Sequence, residues 1–179
     1  MDDRLVLRAF RKEDLHFLDR LSTDQEALGP FEWTGFSDAQ TWRRRWEQDG
    51  YVGAESTALA VVLGDGTIAG VASWRVKSAG VCYEIGLALL PEHRGRGLGT
   101  RGQQLLIDHL FEYTTVHRLE ALTDSENVAA QRALERVGFE REGVLRGRYF
   151  QRGDYRDLVI YARLRDSTNS RRRPDAPGG

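Results

Sequence analysis

The segment Arg94-Gly95-Arg96-Gly97-Leu98-Gly99-Thr100 brings together the residue types that hold an anion. Glycines let a backbone approach a ligand without Cβ interference, and at the start of a helix they leave its unpaired N–H groups open to an anion. A pyrophosphate suits that geometry. Arg94 and Arg96 add positive charge and fork-shaped donors, although spacing does not tell which of them points at the ligand. Several readings compete, the plainest being a loop that only turns the chain. Gly97-Leu98-Gly99-Thr100-Arg101-Gly102 satisfies G-x-G-x-x-G, and Glu120 stands at about the distance of a ribose-binding acid. Against a dinucleotide site, the polar run Pro91-Glu92-His93-Arg94 precedes the first glycine, where a dinucleotide turn is tight. A nucleoside-triphosphate loop fails because Gln103-Gln104 stands where Lys-Ser/Thr is required.

The surrounding pattern supplies the elements that must position this segment. Arg4–Phe10 alternates as a strand, Glu13–Leu21 is helical in its Leu15, Leu18 and Leu21 spacing, and a second helix starts near Ser37 or Asp38. Ala58–Leu63 and Ile68–Val76 flank Gly64-Asp65-Gly66-Thr67, a hairpin signal. A strand over Val81–Leu90 leads through the polar break to a helix over Thr100–Tyr113, with Leu105, Leu106, Ile107, Leu110 and Phe111 as its buried stripe. A strand over Leu119–Thr123 and a helix over Val128–Val137 follow, with Gly138 as a left-handed cap. Strands over Val144–Phe150 and Leu158–Leu164 close the pattern around Gly153-Asp154. The fold class is α+β, and only two helices separate the glycines from the closing hairpin, too few for a doubly wound parallel sheet. A single domain spans residues 1–164, and residues 165–179, rich in Pro, Gly, Ser and Arg, form a disordered polar, basic tail.

Composition narrows the classes. The 179 residues suit one domain, since that size buries about 70% of the surface of the unfolded chain. Cys82 is the lone cysteine, so an internal disulfide is excluded and a reducing compartment fits. The formal net charge of −1 argues against a nucleic-acid surface. No apolar run is long enough for a membrane span, and Met1-Asp2-Asp3-Arg4 lacks the features of a secretory signal, so a cytoplasmic location is expected.

Three stretches together are similar to the GNAT superfamily of N-acetyltransferases. Arg94-Gly95-Arg96-Gly97-Leu98-Gly99 resembles its Arg/Gln-x-x-Gly-x-Gly/Ala cofactor motif, Tyr83-Glu84-Ile85-Gly86-Leu87 precedes it, and Asn127-x-x-Ala130 leads to Gly138-Phe139. With Leu7-Arg8-Ala9-Phe10 and Glu13-Asp14, the pattern resembles the ribosomal-protein N-terminal acetyltransferase (RimJ/RimL-like) branch over about Leu5–Leu164. The resemblance implies a GNAT fold: a mixed, mostly antiparallel central sheet with splayed middle strands, flanked by helices. It places acetyl-CoA as cosubstrate in the splay between Val81–Leu90 and Leu119–Thr123. Gly95, Arg96, Gly97, Leu98, Gly99 and Thr100 would then hold the pyrophosphate, with Arg94 beside them. Backbone groups near Leu87 and Leu89 would hold the pantetheine and the thioester carbonyl, and Asn127 would meet the pantetheine or acetyl region.

By the same resemblance the reaction is direct attack of a primary amine on the thioester in a ternary complex, with Glu84 as the base. A structural carboxylate remains the alternative for Glu84. The usual proton donors for the thiolate are missing, because Leu134 stands where many members carry a tyrosine and Ala130 where the branch carries a serine. Tyr149 and Tyr155 are substitutes to test, and a CoA-binding sensor without chemistry stays open, as does, more weakly, a dinucleotide-binding module. The acceptor side falls between the first strand and the hairpin, with Phe31 and Trp33 as pocket residues, whereas Trp42 and Trp46 at i, i+4 spacing read as a helix core face. The partner implied is a small-molecule amine or a peptide N-terminus. No metal, membrane or nucleic-acid partner is expected, and a homodimer is left open.

Overall fold

The computed structural model describes residues 4–32 and 38–165. Seven strands form one sheet in the order β1-β2-β3-β4-β5-β7-β6. They are β1 (Leu5–Arg8), β2 (Ser56–Leu63), β3 (Ile68–Ser78), β4 (Cys82–Leu89), β5 (Arg118–Asp124), β6 (Glu140–Gln151) and β7 (Asp154–Leu164). Every neighbouring pair is antiparallel except β4 and β5. That sheet, with the helices described next, is the α+β architecture the sequence implies, and its order is incompatible with a doubly wound dinucleotide fold.

Helices α1 (Leu15–Thr23), α2 (Gln25–Leu28) and α3 (Ala39–Asp49) precede the hairpin; α4 (Leu98–Tyr113) and α5 (Val128–Arg136) follow it. Asp38 caps α3 by accepting the Gln40 N–H at 2.9 Å. The sheet separates two cores. On one face α4 and α5 pack Leu106, Ile107, Leu110 and Leu134 against Val61, Ile85, Leu119 and Tyr161. On the other, Phe17, Leu18, Ala27 and Tyr51 pack against Ala60, Val62 and Leu90. Leu105, expected in the buried stripe of α4, is exposed: it sits one residue, or about 100° of helix rotation, off the Leu98–Gly102–Leu106–Leu110 row.

Three further boundaries differ from expectation. Helix α4 begins at Leu98, so Leu98, Gly99 and Thr100 form its first turn instead of a loop before it. The closing strands are longer, because Gly153 at φ 86° turns the chain within two residues and lets pairing run to Gln151↔Asp154. Arg165 belongs to the fold and not to the tail. Its guanidinium donates to Val116 O, Phe111 O and Thr114 O and lies over the Phe111 ring, fastening the end of β7 to the end of α4. Residues 166–179, the rest of that tail, lie outside the described residues.

The feature that matters for chemistry is where β4 and β5 part. Their pairing covers only Cys82↔Arg118, Tyr83↔Leu119 and Glu84↔Glu120. Beyond it β4 stays paired to β3 as far as Gly70↔Leu89, and β5 stays paired to β7 as far as Asp124↔Leu158. Each middle strand follows its outer neighbour, and a wedge opens between them. Gly70 keeps β3 and β4 closed: a Cβ there would lie 2.1 Å from Ala88 O and 3.0 Å from Leu89 Cα. We expect Gly70→Ala to lower stability by about 3 kcal/mol, the scale of overpacking without room to relax, as a fall in the urea midpoint. An unchanged midpoint would show that this strand contact is not needed.

Candidate active site

Alternation along β4 decides what the wedge contains. Leu90 N–H donates to Ala69 O on the β3 side and Val81 O accepts from His117 and Arg118 N–H on the β5 side, so the odd-numbered residues aim their backbone groups at β5. Once β5 has diverged, both backbone groups of Leu87 and the N–H of Leu89 therefore present an unpaired strand edge. Buried backbone groups need partners, and an unpaired edge at this depth is a template for an extended, amide-bearing ligand. A cleft of about 610 Å³ runs through the opening, lined on one face by Ile85, Leu87, Gln103, Asn127 and Leu134 and on the other by Ser73, Arg75 and Glu84. Gln103 Oε1 is buried without a hydrogen-bond partner.

The glycine turn lies at the surface beyond this lining. Gly95 (φ 73°) and Gly97 (φ 76°) occupy left-handed conformations that other residues reach only with strain, and Arg101 N–H is bonded back to Gly97 O. The N–H groups of Leu98, Gly99 and Thr100 precede that first helical bond and are the ones a helix N-terminus offers to an anion. Gln103, six residues along α4 from Gly97, is about 9 Å away along the axis, so one ligand can span both. Arg94 is used differently from a phosphate fork. It donates to Leu89 O (2.8 Å), Ala27 O (2.8 Å) and Leu28 O (3.1 Å), tying the end of α2 to the exit of β4. Three carbonyls occupy the guanidinium, which stabilises the turn that carries the glycines.

Glu84 lies in the cleft as the sequence places it. On the sheet floor Ser56, Arg75, Glu84 and Glu120 are successive cross-strand partners from β2 to β5. Lys77 Nζ is 3.4 Å from Glu84 Oε2. Glu120, the residue a dinucleotide reading needs, is held by Arg118 Nε at 2.8 Å. Cys82 is buried beside it, and burial, followed by the Glu120 charge, pushes its thiol up, which suits no nucleophilic role. Glu32 is a second cleft carboxylate, which sequence reasoning passed over although both its neighbours were named. It is open to water on one side, but the enclosing walls push its carboxyl up, against the pull of the Arg94 charge.

The proton-donor question has a geometric answer. Leu134, buried, and Ala130 both line the cleft at the positions named from sequence, so neither offers a proton. Tyr149 O–H donates to Asp124 Oδ2 at 2.6 Å. Burial and that carboxylate push the phenol up to about 12. Tyr155 is exposed and packs edge-on against Phe150 at the hairpin. Asn127 Oδ1 accepts the Ala130 N–H at 3.1 Å as the cap of α5, which directs the amide end as the available donor. On the acceptor side the aromatic expectations change places. Trp42 lines the cleft with Tyr51, Phe31 does not, and Trp33 lies outside the described residues. Trp46 is structural, donating to Phe10 O at 3.1 Å.

A parted parallel strand pair beside a glycine-started helix is the arrangement that the sequence resemblance implies for an acyl-CoA-dependent N-acetyltransferase. Residues 4–140 match the acetyltransferase (GNAT) domain family, and the chain belongs to that family. It is 27% identical over 160 residues to the spermidine N(1)-acetyltransferase of Escherichia coli K12, covering 86% of this chain and 82% of that protein. The structure is similar to a spermidine N-acetyltransferase from Vibrio cholerae in complex with CoA and spermine, at TM-score 0.81 and 20% identity over 89% of this chain and 95% of that one. It is also similar to RimL, a ribosomal L7/L12 α-N-protein acetyltransferase in complex with coenzyme A, at TM-score 0.75 and 21% identity over 89% of this chain and 93% of that one.

Asp124 gives this region a pH signature. Burial raises its carboxyl, but hydrogen bonds from Arg156, Tyr149 and Glu126 N–H and the Arg156 charge outweigh that, leaving it below its ordinary value. A depressed folded value means the stabilisation is complete above about pH 4 and is lost as pH falls through the folded value. Asp124→Asn should flatten the acid limb of stability against pH; an unaltered limb would remove Asp124 as its source. Tyr149→Phe should lower stability by about 1–2 kcal/mol while leaving turnover within about twofold, since the phenol is bound to Asp124 and not to the reacting groups. A tenfold loss of turnover in a folded Tyr149→Phe would restore it as the acid.

Proposed function

We propose that this protein transfers an acetyl group from acetyl-CoA to a primary amine by direct attack within a ternary complex. The observation that carries the reading is the unpaired edge of β4 at Leu87 and Leu89, opened by the early end of the β4–β5 pairing. In this reading backbone N–H groups from Gly95 to Thr100 hold the pyrophosphate, with Arg96 close by. The N–H of Leu89 and both backbone groups of Leu87 pair with the pantetheine amides and polarise the thioester carbonyl, while Leu89 O remains with Arg94. Gln103 Oε1 accepts an amide N–H from the same arm and the Asn127 amide donates to it, which answers the orphaned acceptor.

The amine enters on the α1–α3 side of the sheet, where Glu84 removes its proton directly or through water. No side chain is required to protonate the departing sulfur, because a thiol with an ordinary value near 8.5 leaves tolerably as thiolate. The acceptor is a small-molecule amine or a peptide N-terminus, and relatives named for spermidine and for a ribosomal protein support both. That pair of relatives leaves the RimJ/RimL-like branch as one home within the family and a polyamine-acetylating branch as another. The lone Cys82 suits a cytoplasmic setting. The second reading, a sensor that binds acyl-CoA without transfer, is favoured only by Leu134 and Ala130.

Thiol release from acetyl-CoA against a panel of amines tests the reading. Glu84→Gln should lower kcat at neutral pH by about 100-fold or more while the Kd for CoA stays within about twofold. An unchanged rate removes Glu84 as the base and passes the role to Glu32, for which Glu32→Gln is the parallel measurement. CoA binding with no thiol release for any amine supports the sensor.

A further inference from the structure

The acceptor compartment has a polarity of its own. From β4 toward β2 the floor runs Glu84, Arg75, Ser56, all in register and all lining the cleft. From above, α3 lowers Arg45 onto this row: its Nη2 donates to Ser56 Oγ at 2.7 Å and Ser56 O at 3.3 Å, and its guanidinium lies 5.2 Å from the Tyr51 ring centroid. Neighbouring strands are about 4.8 Å apart, so the Arg75 side chain leaves the backbone one strand from Glu84, and the Arg45 guanidinium reaches the second strand at Ser56. Arg75 has no hydrogen-bond or ion-pair partner among the described residues, since the cation on Glu84 is Lys77. Among the described residues Arg45 and Arg75 thus share the cleft lining with Glu32 and Glu84, and Lys77 stands beside Glu84.

This arrangement is poorly suited to a polycation. A chain of amines anchored at Glu84 and extended along the floor would run its second charge into Arg75 and then Arg45. An acceptor whose amine sits at Glu84 and whose other end is anionic meets a complementary charge at each end. We propose that the acceptor is a small primary amine carrying a carboxylate or phosphate about 5–10 Å from its nitrogen, read by Arg75 and then Arg45, and that spermidine is a poor substrate. This rests on the acetyltransferase reading above and narrows its substrate class. Arg75 supplies the open charge; Arg45 is already oriented by Ser56 and Tyr51 and sets how far the anion reaches. Fork-shaped donors in these places bind either oxyanion, so the shared chemistry is the anion itself.

The test is acetyl-CoA thiol release with γ-aminobutyrate, O-phosphoethanolamine, propylamine and spermidine. The expected result is a kcat/KM for at least one anionic amine tenfold or more above both propylamine and spermidine, and the better of the two anions identifies the carboxylate or the phosphate. In Arg75→Gln, an exposed position whose folding is checked by thermal melting, that ratio falls tenfold or more, and in Arg75→Glu the order shifts toward spermidine. Equal or faster turnover of propylamine or spermidine by the unaltered protein overturns the proposal and leaves the transferase reading intact. So does an unchanged ratio in Arg75→Gln. Absence of thiol release with all four amines and with a peptide N-terminus overturns both.

Discussion

The structure depends on one early ending: the parallel ladder between β4 and β5 stops at Glu84↔Glu120. Had it continued, β4 would carry bonds on both edges and the sheet would be closed. Instead the two middle strands stay zipped to their outer neighbours through Leu89 and Asp124, and the backbone between them is left without its ladder partners. That opening is the cleft, and its walls come from both hydrophobic cores. In the proposed reading a ligand lying in it completes a sheet edge on one side and contacts a helix N-terminus at its end.

The supports of the opening are mostly side chains held by other groups of the protein. Arg94 ties three carbonyls from α2 and β4 around the glycine turn, Asp124 gathers Tyr149 and Arg156 at the far end of β5, and Arg165 fastens β7 to α4. Each joins elements distant in sequence at the margins of the wedge. The candidate reacting groups among the described residues are by contrast few: an unpaired backbone edge and the Glu84 and Glu32 carboxylates, with Ala130 and Leu134 of α5 lining the cleft without a proton to give. Chemistry in such a site relies on positioning and backbone polarisation more than on a set of acid and base side chains.

The glycine segment, the hairpin at Asp65-Gly66 and the strand carrying Glu84 were legible because each depends on local rules: positive φ, period-two alternation and a helix start. The parts that were not legible are those decided by contacts far apart in the chain. Arg94 reads as a phosphate ligand beside three glycines, yet carbonyls some 66 residues away claim it. Phe31 reads as a pocket residue because a loop holds it, whereas among the described residues cleft access falls to Glu32 and Trp42. Periodicity marked Trp42 as core because it cannot tell a helix face that meets a sheet from one that meets a cavity. Arg165 reads as tail because its partners lie at the end of α4, about 50 residues earlier.

Amide hydrogen exchange with and without CoA addresses the central claim most directly, because it reads the backbone groups that the account makes responsible. Added CoA should slow exchange at Leu87 and Leu89 on the open edge of β4 and at Leu98, Gly99 and Thr100 at the start of α4, with little change along β6. Protection confined to other segments, or none at the β4 edge despite saturating CoA, would contradict a cofactor seated in the parted strands.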